Sequence, residues 1–229
     1  MNANAFPPVE HHQKRVGQER RERTRALLIR SAIGVFATRG PDAPVIDDFI
    51  AAAGVARGTF YNYFRTTHEL LAAVTAELNE EVLGMVNPQV ALHADPAVRL
   101  CVGTRLYVQF AARYPMWGAF LTRIGPGTAS QGKPLDRHLM RDLEAGIASK
   151  RFTVDSAQTV RDMILGLVFF GIETLLREKD RHQHIEHMLF VILVGCGLLA
   201  DEARAIAYMP LQDIGPVSAP VLATLEPKA

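Results

Sequence analysis

A chain of 229 residues with 48% hydrophobic side chains is long enough to bury a sizeable core, as one large domain or as a small domain joined to a larger one. Its longest apolar run, MLFVILVGCGLLA from Met188 to Ala200, is shorter than the roughly 20 residues a membrane span requires, so it reads as a buried helix and no membrane partner is expected. The formal charge of +1 gives no overall attraction to polyanions, but residues 1–65 hold ten Lys/Arg against six Asp/Glu. A basic end on a mildly acidic body is the asymmetry needed if one end is to face phosphates.

The opening MNANAFPPVEHHQKR lacks the apolar core of a secretory leader, from which a cytoplasmic location is expected. Cys101 and Cys196 lie far apart and read as reduced, buried small side chains. Residues 1–18 are expected to form a flexible basic arm whose Lys14 and Arg15 meet a phosphate backbone; an arm that merely aids solubility is the alternative. The first helix is predicted to start between Glu19 and Thr24, to turn Leu28, Ile29, Ala32, Ile33, Val35 and Phe36 inward, and to end at Gly40-Pro41. A short second helix runs from about Val45 to Ala53, Gly54-Val55 interrupts it, and a third runs from about Arg57 to Tyr63. Thr66 with Glu69 three residues on is a capping box and opens a fourth helix reaching about Val86, before Asn87-Pro88. Further helices are placed at 96–113, 115–124, 135–149, 156–178 and 183–207, with a loop over 125–134 and a Pro-rich tail over 208–229 whose Val and Leu side chains are able to dock on the body. The fold class expected is all-α with about nine helices. A three-helix head spans 19–65, and an all-helical body spans 66–207.

The head carries the most informative pattern. In FIAAAGVARGTFYNYF, residues 49–64, Ala52 and Ala53 allow two helices to approach closely, Gly54 opens a turn to positive φ, Val55 plugs the corner, and Phe60 and Phe64 face inward four residues apart. The opposite face shows Arg57, Thr59, Tyr61, Asn62 and Tyr63. Such a face suits a major groove, where Arg forks onto guanine and Asn onto adenine while hydroxyls hold phosphates.

At these residues the chain resembles the TetR family of repressors. ERTRALLIRSAIGVFATRG is similar to that family's first helix, VIDDFIAAAGVARGTFYNYF to its helix-turn-helix, and RTTHELLAAV to the start of its fourth helix. The resemblance implies a homodimer that reads a pseudo-palindromic operator in double-stranded DNA and is released by a small-molecule effector bound in the C-terminal part. It implies base-edge positions at Arg57, Gly58, Tyr61 and Asn62 and phosphate positions at Thr59 and Tyr63. Departures stand beside it. Val45 replaces a capping Ser or Thr, Asp47 a basic residue, Ala56 a capping Ser and Thr67 a phosphate-binding Lys, so a protein that kept the fold for interaction or ligand binding but lost specific DNA binding is the alternative.

In the body, Met163–Ile172 and Met188–Ala200 are apolar all round, and such helices must be covered on both sides. Leu167, Val168, Gly171, Val191, Val194 and Gly195 are the expected contacts of a four-helix dimer interface; two central helices of a monomer are the alternative. Tyr107, Phe110, Arg113, Met116, Trp117 and Phe120, joined by His138 and Met163, are the candidates for a mostly apolar effector pocket. No catalytic residue, cofactor or metal site is expected. His184 and His187 are three apart but no carboxylates join them with ligand spacing, and Gly125-Pro126-Gly127-Thr128 lacks a phosphate-loop lysine.

Overall fold

A computed structural model describes residues 9–130, 134–178, 182–211 and 220–225. Its elements are α1 (Val9–Arg39), α2 (Ile46–Ala53), α3 (Arg57–Tyr61), α4 (Thr67–Val90), α5 (Pro96–Arg113), α6 (Pro115–Ser130), α7 (Pro134–Ala148), α8 (Ala157–Arg177), α9 (His184–Gly195), α10 (Ala200–Ala207) and a closing 3-10 turn, η1 (Leu222–Leu225). The protein is all-α. Helices α1–α3 make the head, and α4–α10 make the body.

Local chemistry sets most boundaries. The Thr66 hydroxyl accepts the Glu69 N–H at 3.0 Å and opens α4. The Asp95 carboxylate accepts the Ala97 N–H at 2.9 Å, with Pro96 in the first turn of α5. Ser156 accepts the Thr159 N–H and opens α8. Each satisfies a donor that the helix start leaves without a partner.

Several expectations are corrected. The first helix begins at Val9 rather than between Glu19 and Thr24, so residues 9–18 continue α1 instead of forming an arm; residues 1–8 lie outside the described residues. Helix α4 runs through Asn87-Pro88 to Val90. The N–H that Pro88 lacks costs one helical hydrogen bond, but Val86 and Val90, four residues apart, stay on the buried face. The loop placed at 125–134 is largely helix: Gly125, at φ 75 and ψ 165, only kinks α6, which resumes at Pro126. The single helix placed at 183–207 is two, because Gly197 at φ 93 turns the chain between α9 and α10. Ten α-helices are therefore seen among the described residues instead of about nine. Within the Pro-rich tail, Val221, Leu222 and Leu225 are buried.

The core is continuous from head to body. Helix α6 packs along α1 and α8, and Phe120 of α6 sets its ring edge-on to Phe36 of α1. Buried Arg105 ties α5 to α9 through Glu186 at 2.7 Å, and to the end of α10 through the Ala207 and Met209 carbonyls, which satisfies a charge that would otherwise be costly to bury. Cys101 and Cys196 are free and buried. Burial pushes their thiols up to about 12 and about 11, so neither is a thiolate near neutral pH.

Candidate DNA-reading face and effector cavity

Gly54 at φ 64 closes α2 and lets the chain double back, and Val55 donates to the Ile50 carbonyl at 3.2 Å. Ala53 is buried at the crossing, while Ala52 is exposed. Phe60 and Phe64 sink beneath α3, where Phe60 stacks on Phe49 and Phe49 meets Phe36 at 4.9 Å. With this wedge filled, Arg57, Gly58, Tyr61 and Asn62 stand exposed together on the outer face, and Thr59 and Tyr63 lie half-buried at its flanks.

The acid that sequence placed near phosphate is paired. Arg57 Nη2 donates to Asp47 Oδ1, and Asp47, first by that hydrogen bond and then by charge, raises the Arg57 pKa further above its usual range. Its neighbour Asp48 supplies the second half of a capping box: Asp48 Oδ2 accepts the Val45 N–H at 2.9 Å, and Oδ1 accepts from Arg39 at 2.6 Å. Beside α3, a groove is lined by Gly17, Gln18, Arg21, Glu22 and Arg25 of α1 with Asn62 and Tyr63. Arg21 stands over the Tyr63 ring and Arg25 over Phe64, each at 6.0 Å. Arg15 is exposed and within 3.6 Å of Glu19; the Lys14 side chain lies outside the described residues. Arg21 and Arg25 were not singled out from sequence, although both fall within KRVGQERRERTR at 14–25, where most of the Lys and Arg of residues 1–65 are found.

A second site lies in the body, a cavity of about 70 Å³ between α4, α5, α7 and α8. Leu83, Val86 and Val90 of α4 and Ile164, Leu165, Val168 and Phe169 of α8 make its apolar walls. Polar groups come in pairs: Asn87 Nδ2 lies 3.2 Å from His138 Nε2, and Arg99 donates to Asp142 at 2.5 Å. The Tyr107 hydroxyl is buried with no hydrogen-bond partner among the described residues. Burial drives the Tyr107 phenol well above its ordinary range, so it remains a protonated donor. Burial, and then the charge of Arg141, lowers the His138 pKa below 6.5.

Of the pocket candidates, this cavity takes Tyr107 and His138 alone. Trp117 and Phe120 are wholly buried elsewhere: the first supports Tyr107 edge-on at 5.1 Å, the second packs on the head. Phe110 stacks on Tyr114, and exposed Arg113 lies over the same ring. Met116 is exposed beside Gly34, and Met163 sits against Gly195. Arg99, Asn87 and Asp142 were missed. The available signal was spacing, since Arg99, Gly103 and Tyr107 on α5, and His138 and Asp142 on α7, recur every four residues and so share a helix face.

Val168 is likewise corrected: it is buried toward the cavity rather than at an outer surface. The outer face of α8 and α9 instead presents Phe170, 72% exposed, with Val191 at 50% and Val194 at 41%. Leu167, Phe170, Gly171, His184, Met188 and Val191 form a shallow groove there. Gly171 lies where a Cβ would fall 2.7 Å from the Met188 sulfur, and Gly195 is pressed by Met163.

A helix-turn-helix with an exposed third helix, set on a helical body that holds a cavity, is the architecture of a one-component helix-turn-helix regulator. Two family models cover most of the chain: bacterial regulatory proteins of the tetR family over residues 28–74, and the tetracyclin repressor-like C-terminal domain over residues 95–209. The chain belongs to the TetR family, whose members regulate transcription and are not enzymes. It is similar to RolR, seen in a crystal structure with the ligand resorcinol, at 30% identity and TM-score 0.67, covering 86% of this chain and 99% of that one. It shares its fold with a tetR family regulator from Shewanella sp. PV-4 at 16% identity and TM-score 0.63, covering 76% and 95% of the two chains. A Bacillus subtilis (strain 168) HTH-type transcriptional regulator, YvdT, is 34% identical over 68 residues, a match spanning 30% of this chain and about a third (34%) of YvdT. No helix among the described residues is long and apolar enough to cross a membrane.

Proposed function

We propose that this chain is a cytoplasmic repressor that grips a pseudo-palindromic DNA operator as a homodimer and lets go when a small effector enters the α4–α5–α7–α8 cavity. The observation that carries this reading is the course of α4. It starts at Thr67, a short turn after α3 in the chain, and its last turns supply Leu83, Val86, Asn87 and Val90 to the cavity. An effector that spreads the cavity therefore pushes on a helix that packs on α1 of the head and follows α3 in the chain. Residues 19–65 read DNA in this scheme, and 66–207 hold the effector and the partner subunit.

The effector class is a single hydroxylated aromatic ring, the chemistry of the resorcinol bound by RolR. At about 70 Å³ the cavity must widen to admit even one ring, its walls are mostly apolar, and it offers the Tyr107 hydroxyl, without a partner among the described residues, together with polar groups at Asn87, His138, Arg99 and Asp142. Drug-sized and long-chain ligands need several hundred Å³. Selection of bound duplexes from a random pool, then footprinting with and without resorcinol, tests both halves of the reading. A two-fold motif released by resorcinol is the expected result. Recovery of no motif would favour a protein that retained the fold without specific DNA binding, and a motif indifferent to single-ring phenols would overturn the effector class.

A further inference from the structure

We infer that Asp47 is a specificity-determining residue of the DNA-reading face: its carboxylate holds the Arg57 guanidinium over one base pair of each half-site, so that the two residues read as a unit. The inference rests on the proposed reading of α3 as a base-contacting helix. Asp47 lies in the first turn of α2 and Arg57 opens α3, so their contact bridges the two helices across the Gly54 turn. Their side chains are 65% and 59% exposed on the same outer face. An acid in that position needs an occupation. It is not the cap of α2, because Asp48 accepts the Val45 N–H and also holds Arg39.

A free arginine at the head of α3 has many rotamers and several phosphates within its sweep, and a contact to phosphate carries no sequence information. Asp47 takes one of the five guanidinium N–H groups and leaves a paired edge to fork onto guanine O6 and N7. Its negative charge also disfavours the turn of Arg57 toward the backbone. The remaining carboxylate lone pairs accept from a cytosine amino group and are repelled by guanine O6 and thymine O4, which sharpens the same choice. In free solution such an exposed ion pair contributes little to stability. Its effect is on which partner the arginine meets once DNA displaces the surrounding water.

Binding-site selection, with affinities at several salt concentrations, on the full-length wild type, Arg57→Ala, Asp47→Ala, the near-isosteric Asp47→Asn and the double Ala variant tests this. Asp47→Ala is expected to flatten preference at the base pair that Arg57→Ala flattens, by part of the roughly 5- to 150-fold discrimination a forked arginine supplies, and the double variant to lose less than the two single losses combined. Binding to unrelated duplexes should tighten and its salt dependence steepen as the freed arginine finds phosphate. If Asp47→Ala and Asp47→Asn strengthen all duplexes alike with the preference profile intact, Asp47 is only a repulsive charge and the inference falls. It falls too if they alter a base pair other than Arg57's. An unchanged profile for Arg57→Ala would instead overturn the underlying reading of α3. Thermal melts that stay near wild type exclude a folding explanation, since a merely structural acid would move the melt and not the base preference.

Discussion

His138 shows how one residue can tie stability to pH. Its imidazole shares the cavity wall with Asn87, and burial holds its pKa below 6.5. As pH falls past 6.5 the unfolded chain takes up the proton first, so folding becomes less favourable until the folded His138 also protonates; above that range the group has no effect. Urea midpoints measured at pH 7.5, 6.5 and 5.5 should therefore decline toward acid, and His138→Asn should flatten part of the decline. An identical pH slope in the variant would assign the acid sensitivity to other groups. Tyr107 adds a second test on the same wall. A buried hydroxyl without a partner costs on the order of 1–3 kcal/mol, so Tyr107→Phe should leave the empty protein as stable or more stable while weakening a hydroxylated ring about 5- to 10-fold, read by calorimetric titration. Equal affinity in the variant would show that the effector does not use this hydroxyl.

The same reasoning applies to whole elements, and the η1 turn is the clearest case. Both oxygens of Glu81 on α4 accept backbone N–H groups at the entry to η1, from Val221 at 2.8 Å and Leu222 at 3.0 Å. Val221, Leu222 and Leu225 are buried alongside. Glu81→Ala removes charge-assisted bonds worth about 1.5–3 kcal/mol each at most, so hydrogen exchange should accelerate across residues 220–225 with α5 and α8 unchanged; uniform acceleration would mean that η1 is part of the global core. Much of the element plan was legible in the sequence where chemistry is local. Asp95-Pro96 and Arg113-Tyr114-Pro115 bracket α5 at the expected 96–113 because cap, first-turn proline and stop are short-range signals. The α9–α10 break was not legible, because both flanks of Gly197 are apolar and buried and periodicity carries no mark of a turn between two packed faces. Gly125-Pro126 misled in the opposite sense: the same pair that ends a helix also restarts one, with proline in a first turn. The cavity was half legible for a related reason. Composition marks Trp117 and Phe120 as buried, but only the packing of α6 decides that they meet α5 and the head rather than an effector.

At the scale of the whole molecule the question is what covers the outer face of α8 and α9. Contiguous exposed apolar surface of this kind marks an interaction site, and a second copy of the chain, related by a two-fold axis, would bury Phe170, Val191 and Val194 against their own equivalents. Because these side chains point away from the core, unlike Val168, charge can be introduced there without dismantling the monomer. Phe170→Glu and Val191→Glu should each place like charges close to the two-fold axis in surroundings that solvate them poorly. Sedimentation should then report a species near the 25.2 kDa of one chain, with unchanged helical circular dichroism. Operator affinity should drop toward that of a single head, since the two recognition helices are no longer held one helical turn of DNA apart, about 34–36 Å, and the second contact loses its effective concentration. Resorcinol should still raise the melting temperature of the monomer, because the cavity is built from α4, α5, α7 and α8 of one chain and ligand linkage needs no partner. A dimer that survives both substitutions with full operator affinity would move the interface to another face. A monomer that also loses the resorcinol-induced shift would show that the partner subunit completes the effector site.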